Sequence, residues 1–265
     1  MDGSLLVSVL EGQVLLLAVG MTRLATAFLL LPLFSSNLIP ALIRNSIFVA
    51  LTLVVLVAHG AVDIDLMAGT LLLSIFAVEV VLGVALGLFF GLFLWAFEAA
   101  GEVIDTAIGT SVAMIHDPIS GNEVTLFGEF LGRWANYLFM ASGGMILITG
   151  VVLNSFALWP IGVPLPQIAD ESVQIFLAEF SEFFSLMLML AAPLLLIIFL
   201  VDLSMGLVNR FAQQLNVLFL SISIKSILSL AILAMLLPSL TQVFVNELQL
   251  HSDRALQLVQ SLFQA

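Results

Sequence analysis

The chain has no cysteine at all, and only six of its 265 residues are lysine or arginine. Without cysteine there are no disulfides and no thiolate metal sites, although the compartment stays open. So few bases, against 18 acids and a formal net charge of -12, argue against a nucleic-acid partner, which is met by clustered Lys and Arg. Charged residues make up 9% of the chain, where a soluble domain carries roughly 25%. That deficit leaves too few side chains to cover a water-facing surface. Catalytic patterns are missing as well. There is no HExxH, no GxSxG and no GxxxxGK(S/T) phosphate loop. The three histidines lie far apart, without metal-ligand spacing. Neither an intramembrane protease nor an ATP-driven pump finds support, and no enzyme activity, metal or cofactor is expected.

What the chain does have is apolar residues, 62% of the total, with a mean hydropathy of +1.24. It reads as all-α and integral-membrane-type, with about six long hydrophobic helices. The start, with Asp2 and Glu11, lacks the basic region of a cleavable signal, so the first apolar segment is expected to stay. The segments run over about 14–34, 46–58, 67–97, 127–153, 183–207 and 217–237. The third and fourth exceed the ~20 residues of a spanning helix, so they tilt, bend or project. Between the fourth and fifth lie Pro160, Pro164 and Pro166, which cannot continue a helix, and then Asp170, Glu171 and Ser172 with N-cap chemistry. Val173, Phe176, Leu177, Phe180 and Phe184 form one apolar face leading into segment five. Pro238 closes segment six, and an amphipathic tail follows with Leu248, Ala255, Val259 and Leu262 on one side. The region 160–170 is an organisational seam between a long, glycine-punctuated half, 1–160, and a compact hairpin half, 161–265. The distribution of bases places connections one, three and five on the inner side.

Glycines recur at packing intervals. Gly83, Gly87 and Gly91 form a doubled small-xxx-small pattern, and Gly143 and Gly144 also permit close approach. Such faces pack within one chain or against another subunit. Arg23, Glu79, Asp202 and Lys225 lie inside apolar segments, where a charge costs ~2.5–3.5 kcal/mol at a helix centre on insertion scales. They either relay protons or ions, or they pair or face the wet interior of a larger assembly. Asp202 and Lys225 sit on adjacent segments joined by a hairpin and can meet as a buried pair.

The connection between segments three and four is distinctive. Glu98, Glu102 and Asp105, at i, i+4 and i+7, share one helix face, as a solvated helix end or a cation-attracting lining. Gly109 breaks the helix, Thr110 and Ser111 follow, and Asp117, Pro118 and Gly121 carry a turn signal. Met114, Ile115 and His116 interrupt this polar run, as if the loop were packed into something; Met suits a deformable seal. Glu123, Glu129 and Arg133 mark a second polar helix start.

The run WAFEAAGEVIDTAIGTSVAMIHDPISGNEVTLFGEFLGRW, followed by Gly143-Gly144 and by Trp159-Pro160, resembles the SctT proteins of bacterial type III secretion, the injectisome counterparts of flagellar FliR. Ile104-Asp105, Asp117-Pro118 with Ser120-Gly121, Thr125 and Gly128 fall in the same order and spacing. One departure stands out: Thr106-Ala107-Ile108-Gly109 replaces a family step of Asn-Gln-Arg-Gly, so no role of that arginine carries over. The resemblance implies a non-enzymatic subunit of the export gate, assembling with SctR and SctS into a helical cone. The SctU switch protein and the SctV export protein are then neighbours, unfolded secreted proteins the cargo, and membrane lipid a surrounding medium. It implies an SctR-like half 1–160, an SctS-like half 161–265, and a lumenal plug over about 109–128 with Met114 as a sealing side chain. It also implies an inner-membrane protein held largely on the periplasmic side. The competing reading is a secondary transporter or ion channel that uses Glu79, Asp202 and Lys225.

Overall fold

The computed structural model describes residues 3–35, 38–59, 70–109, 125–163, 170–211, 214 and 216–263. Among these, every regular element is helical: α1 (Gly3–Leu29), a 3-10 turn at Pro32–Phe34, α2 (Ala41–His59), α3 (Thr70–Ile108), α4 (Leu126–Ala141), α5 (Gly144–Leu158), α6 (Asp170–Phe211) and α7 (Val217–Phe263). The reason is compositional. Long runs of Leu, Val, Ile, Phe and Ala satisfy their own backbone groups only as helices when water is scarce.

Two expected boundaries move. Pro238 does not end a helix, and α7 runs through it; α6 likewise contains Pro193. A single proline removes one N–H from the ladder, and apolar sequence on both sides keeps the helix intact. The fourth apolar segment is two helices, not one. It breaks at Gly143, whose φ of +82° lies in the left-handed region that favours glycine.

The chain forms two compact units that interleave in sequence. The first comprises 1–92, 143–179 and 251–265. In it, Gly83 and Gly87 press on α1: a Cβ on Gly83 would strike the Thr26 hydroxyl and the Arg23 carbonyl, and one on Gly87 would lie 2.6 Å from the Ala27 carbonyl oxygen. Phe28, Phe34 and Phe48 cluster with centroids 5.1–6.0 Å apart and lock the 3-10 turn between α1 and α2. Arg44 reinforces it by donating to the Phe34 carbonyl at 3.0 Å.

The second unit comprises 93–142 and 180–250. Its core is a ring cluster of Phe93, Phe97, Trp134 and Phe244, with centroids 5.1–6.2 Å apart. Leu186, Leu190, Leu194 and Ile198 of α6 are buried, whereas Phe184, Leu188, Phe199 and Leu203 face outward. At 42 residues, α6 is about 60 Å long, well beyond the ~30 Å hydrocarbon layer.

Candidate functional site

The second unit presents both ends of the sequence-distinctive connection. α3 stops at Ile108, and Gly109, with φ +89°, turns the backbone away while its N–H donates to the carbonyls of Asp105 and Thr106 at 3.2 and 3.1 Å. This is a left-handed C-terminal stop that glycine allows without a Cβ penalty. Thr110, Ser111, Met114, Ile115, His116, Asp117, Pro118 and Gly121 lie outside the described residues. The chain re-enters at Thr125, and Leu126 already begins α4, so residues 126–128 of the expected loop are helix.

Asp105 is the first correction to the charge pattern. It shares a helix face with Glu98 and Glu102, but it neither lines an opening nor ends in solvent: it is 2% exposed. Its carboxylate accepts the backbone N–H of Phe127 at 2.9 Å and of Gly128 at 3.0 Å. These are among the four α4 donors that have no intrahelical partner. Thr125, the N-cap residue, makes no side-chain cap bond, so a residue of α3 caps α4 in its place. The approach is possible because the facing residues are glycines. A Cβ on Gly101 would collide with the Phe127 carbonyl, and one on Gly128 would lie 2.9 Å from Glu102 Cγ. Gly132 faces Glu98 Cβ at 3.3 Å. Glu102 itself is exposed and Glu98 half-buried.

Lys225 holds the other end. Its Nζ donates to the Ala107 carbonyl at 3.1 Å and pairs with Asp202 Oδ1 at 3.0 Å. Asp202 also accepts from the Ser221 hydroxyl at 3.2 Å. The Asp202–Lys225 pair therefore forms, but it is not a buried pair: the Lys225 side chain is 9% exposed and that of Asp202 49%. A cavity of about 310 Å³, bordered by Ile108, Gly109, Ile222 and this pair, opens beside it.

In the first unit, Arg23 is fully enclosed. Its Nε and Nη2 bind the two Glu79 oxygens at 2.7 and 3.0 Å, Nη1 donates to Ser155 Oγ at 3.1 Å, and Nη2 donates to the Trp159 carbonyl at 3.0 Å. The guanidinium carbon stands 4.0 Å from the Phe156 ring centroid. Glu179 of the same unit receives Arg254 at 3.2 Å and His251 at 3.3 Å.

The other expected residues separate by role. Gly83, Gly87 and Gly91 are buried, the first two directly against the α1 backbone. Gly144 is buried at the start of α5. Gly143 is not a packing glycine: nothing lies within 4 Å of its Cβ position, and its left-handed φ makes the helix break instead. Sequence reasoning did not single out Gly101 or Gly132 as packing residues, although Gly128 and Gly132 stand four apart, the spacing already recognised in α3. It also did not connect Glu179 with His251 and Arg254.

Long apolar helices, charges neutralised in pairs and glycine-mediated crossings define a multi-span integral membrane protein. Among the described residues five helices are long and apolar enough to cross a membrane, or six if α4 and α5 are one broken span. The chain belongs to the bacterial export proteins, family 1, whose profile matches residues 14–251. It is 28% identical over 241 residues to Yop proteins translocation protein T of Yersinia pestis, covering 89% of this chain and 88% of that protein. With the secretion system apparatus protein SsaT of Salmonella typhimurium it shares 31% identity over 225 residues, 84% of this chain and 86% of SsaT. Flagellar biosynthetic protein FliR of Bacillus subtilis is 29% identical over 143 residues, 54% of each chain.

Proposed function

We propose that this chain is the SctT-type subunit of a type III protein export gate at the bacterial inner membrane, and that segment 109–125 is its plug. The observation that carries this reading is the family match over 14–251, with secretion-apparatus relatives aligned along most of both chains. The site supports the plug assignment. The connection leaves α3 at a left-handed glycine and enters α4 under a cap borrowed from α3, so both of its ends are held by tertiary bonds. The resemblance makes Met114 its sealing side chain, within a loop that also carries Thr110, Ser111, Ile115, His116, Asp117, Pro118 and Gly121.

In this reading the chain does no catalysis. It assembles with SctR and SctS subunits into a cone that sits largely on the periplasmic side, next to the SctU switch protein and the SctV export protein. Unfolded secreted proteins pass through the cone, and lipid surrounds its membrane-exposed rim. Residues 1–160 correspond to an SctR-like fold and 161–265 to an SctS-like hairpin with an amphipathic tail. The outward apolar residues of α6, Phe184, Leu188, Phe199 and Leu203 among them, suit burial against such partners or lipid. Arg23 pairs with Glu79 and Lys225 with Asp202, which suits charges held within the fold.

Deletion of residues 110–122 in the intact apparatus tests the plug. Co-purification with two smaller hydrophobic partners should persist while passive ion leakage across the membrane rises. A purified chain that carries a small solute by itself would sink the gate reading.

A further inference from the structure

Asp105 and Lys225 perform the same task at opposite ends of one segment, with opposite charges. The last carbonyls of α3 and the first N–H groups of α4 have no partners within their own helices. Lys225 takes up one of the former at Ala107, and Asp105 takes up two of the latter at Phe127 and Gly128. Each charge also has the sign that the helix dipole favours: a cation at a C-terminus and an anion at an N-terminus. Neither cap is local. Thr125, a residue type suited to capping, stands at the N-cap of α4 and makes no side-chain bond there. A local cap satisfies a helix end wherever that end happens to be. A cap from a neighbouring helix fixes where the end lies, here tying the start of α4 to the last turns of α3 and the end of α3 to α7.

The surroundings of the two caps are built for this. Gly101 admits the backbone of Phe127 and Gly128 at a distance that any side chain would block, which brings Asp105 within reach of their N–H groups. On the other side, Asp202 holds the Lys225 ammonium, with Nζ 3.0 Å from its Oδ1 while Lys225 donates to Ala107, and the Ser221 hydroxyl donates to the same Asp202 oxygen.

We infer that Asp105 and Lys225 are positioning residues of the gate, a matched pair of cross-helix caps that set where the plug leaves α3 and where it enters α4. The inference rests on the plug reading above and adds to it the residues that hold the plug's two ends in register. Loss of a single cap shifts a helix-end equilibrium by about five-fold, the effect of a typical cap substitution. The two caps serve different helix ends, so their effects multiply.

The test uses the complete apparatus in cells carrying Asp105→Ala, Lys225→Met, the double variant, Lys225→Arg and the 110–122 deletion. Passive ion leakage, cargo secretion and partner co-purification are read together. Each single variant should leak about five-fold more than the parent, and the double variant about the product, up to the level of the deletion. Cargo secretion should be retained, and Lys225→Arg should return leakage to the parental level because a guanidinium can still donate to Ala107. Two spin labels at Thr106→Cys and Leu126→Cys, in a chain with no other cysteine, report the separation of the two helix ends in the purified assembly. That distance distribution should broaden in both single variants.

An unchanged distance distribution in assembled variants overturns the inference whatever the leakage. Leakage from the deletion but not from either single variant overturns it too, and leaves the plug standing. A deletion that does not leak brings down the plug reading, and the inference with it, even if the helix ends shift. Should the Ala and Met variants fail to assemble, Asp105→Asn and Lys225→Gln carry the test; if these also abolish assembly, the two residues are purely structural and the inference fails.

Discussion

Arg23 of α1 and Glu79 of α3 stand 56 residues apart and close a two-bond ion pair at 2.7 and 3.0 Å, with side chains 0% and 1% exposed. The same guanidinium satisfies Ser155 and the Trp159 carbonyl at the end of α5, so one side chain links three helices. A charge this deep is tolerable only when paired and fully hydrogen-bonded.

Breaking that pair from one side should be severe. Glu79→Ala leaves Arg23 buried without its counter-ion, and the expected loss is about 3–5 kcal/mol. The double change Arg23→Met with Glu79→Met should recover much of this, remaining below the parent by roughly 1–3 kcal/mol because the Trp159 carbonyl loses its donor. Denaturant unfolding of the purified chain in detergent checks both numbers. Additive single losses would refute the coupling.

Glycines of the same type should respond in opposite directions. Gly83→Ala drives a methyl into the Thr26 hydroxyl and the Arg23 carbonyl, an overpacking penalty of about 1–3 kcal/mol. Gly150→Ala, inside α5 with nothing within 4 Å of the new Cβ, should stabilise by about 0.5–1 kcal/mol. Thermal unfolding of the two variants side by side decides the matter.

Gly143→Ala tests backbone rather than packing. No atom stands in the way of its Cβ, but φ +82° is a left-handed conformation that costs an alanine roughly 1–2 kcal/mol. Gly143→Asn should lose less, since asparagine enters this region more readily. Equal losses in thermal unfolding would mean the break between α4 and α5 does not depend on that dihedral.

Glu179 should matter more than Arg254. It is 3% exposed and receives both Arg254 and His251, whereas the Arg254 side chain is 30% exposed. Glu179→Ala is expected to cost about 3 kcal/mol, and Arg254→Ala no more than ~1 kcal/mol after solvent screening. Accumulation of each variant in membranes, together with unfolding of the purified protein, measures the contrast.

Much of the helical framework was legible in the chain. The run through Phe97, Glu98, Glu102 and Asp105 to a stop at Gly109 reads directly as the end of a helix, and α3 ends there. Gly83 and Gly87 were recognisable by spacing, and both press on a neighbouring backbone. Pro238 and Gly143 were misread for opposite reasons. Proline looks like a stop, yet a membrane-type helix absorbs the loss of one N–H; a glycine pair looks like a packing face, yet Gly143 adopts a dihedral that the sequence does not display. Asp105 was visible as a charge but not as a cap, because its partners are backbone N–H groups 22 and 23 residues away.

Composition and the long uninterrupted apolar runs determined that this is an all-α, membrane-type protein without thiol chemistry, because such runs, with only 9% charges in the chain, satisfy their own backbone groups as helices. Local spacing determined where α3 stops and which of its faces lets another backbone come close. Only the tertiary structure decided what each rare charge is for: Arg23 as a three-helix link, Asp105 and Lys225 as caps, Asp202 as a half-exposed counter-ion. Hydrophobic periodicity records which side of a helix avoids water. The partner of a buried charge is set by which helix ends meet across tens of residues of intervening chain, and that is a property of the packed fold.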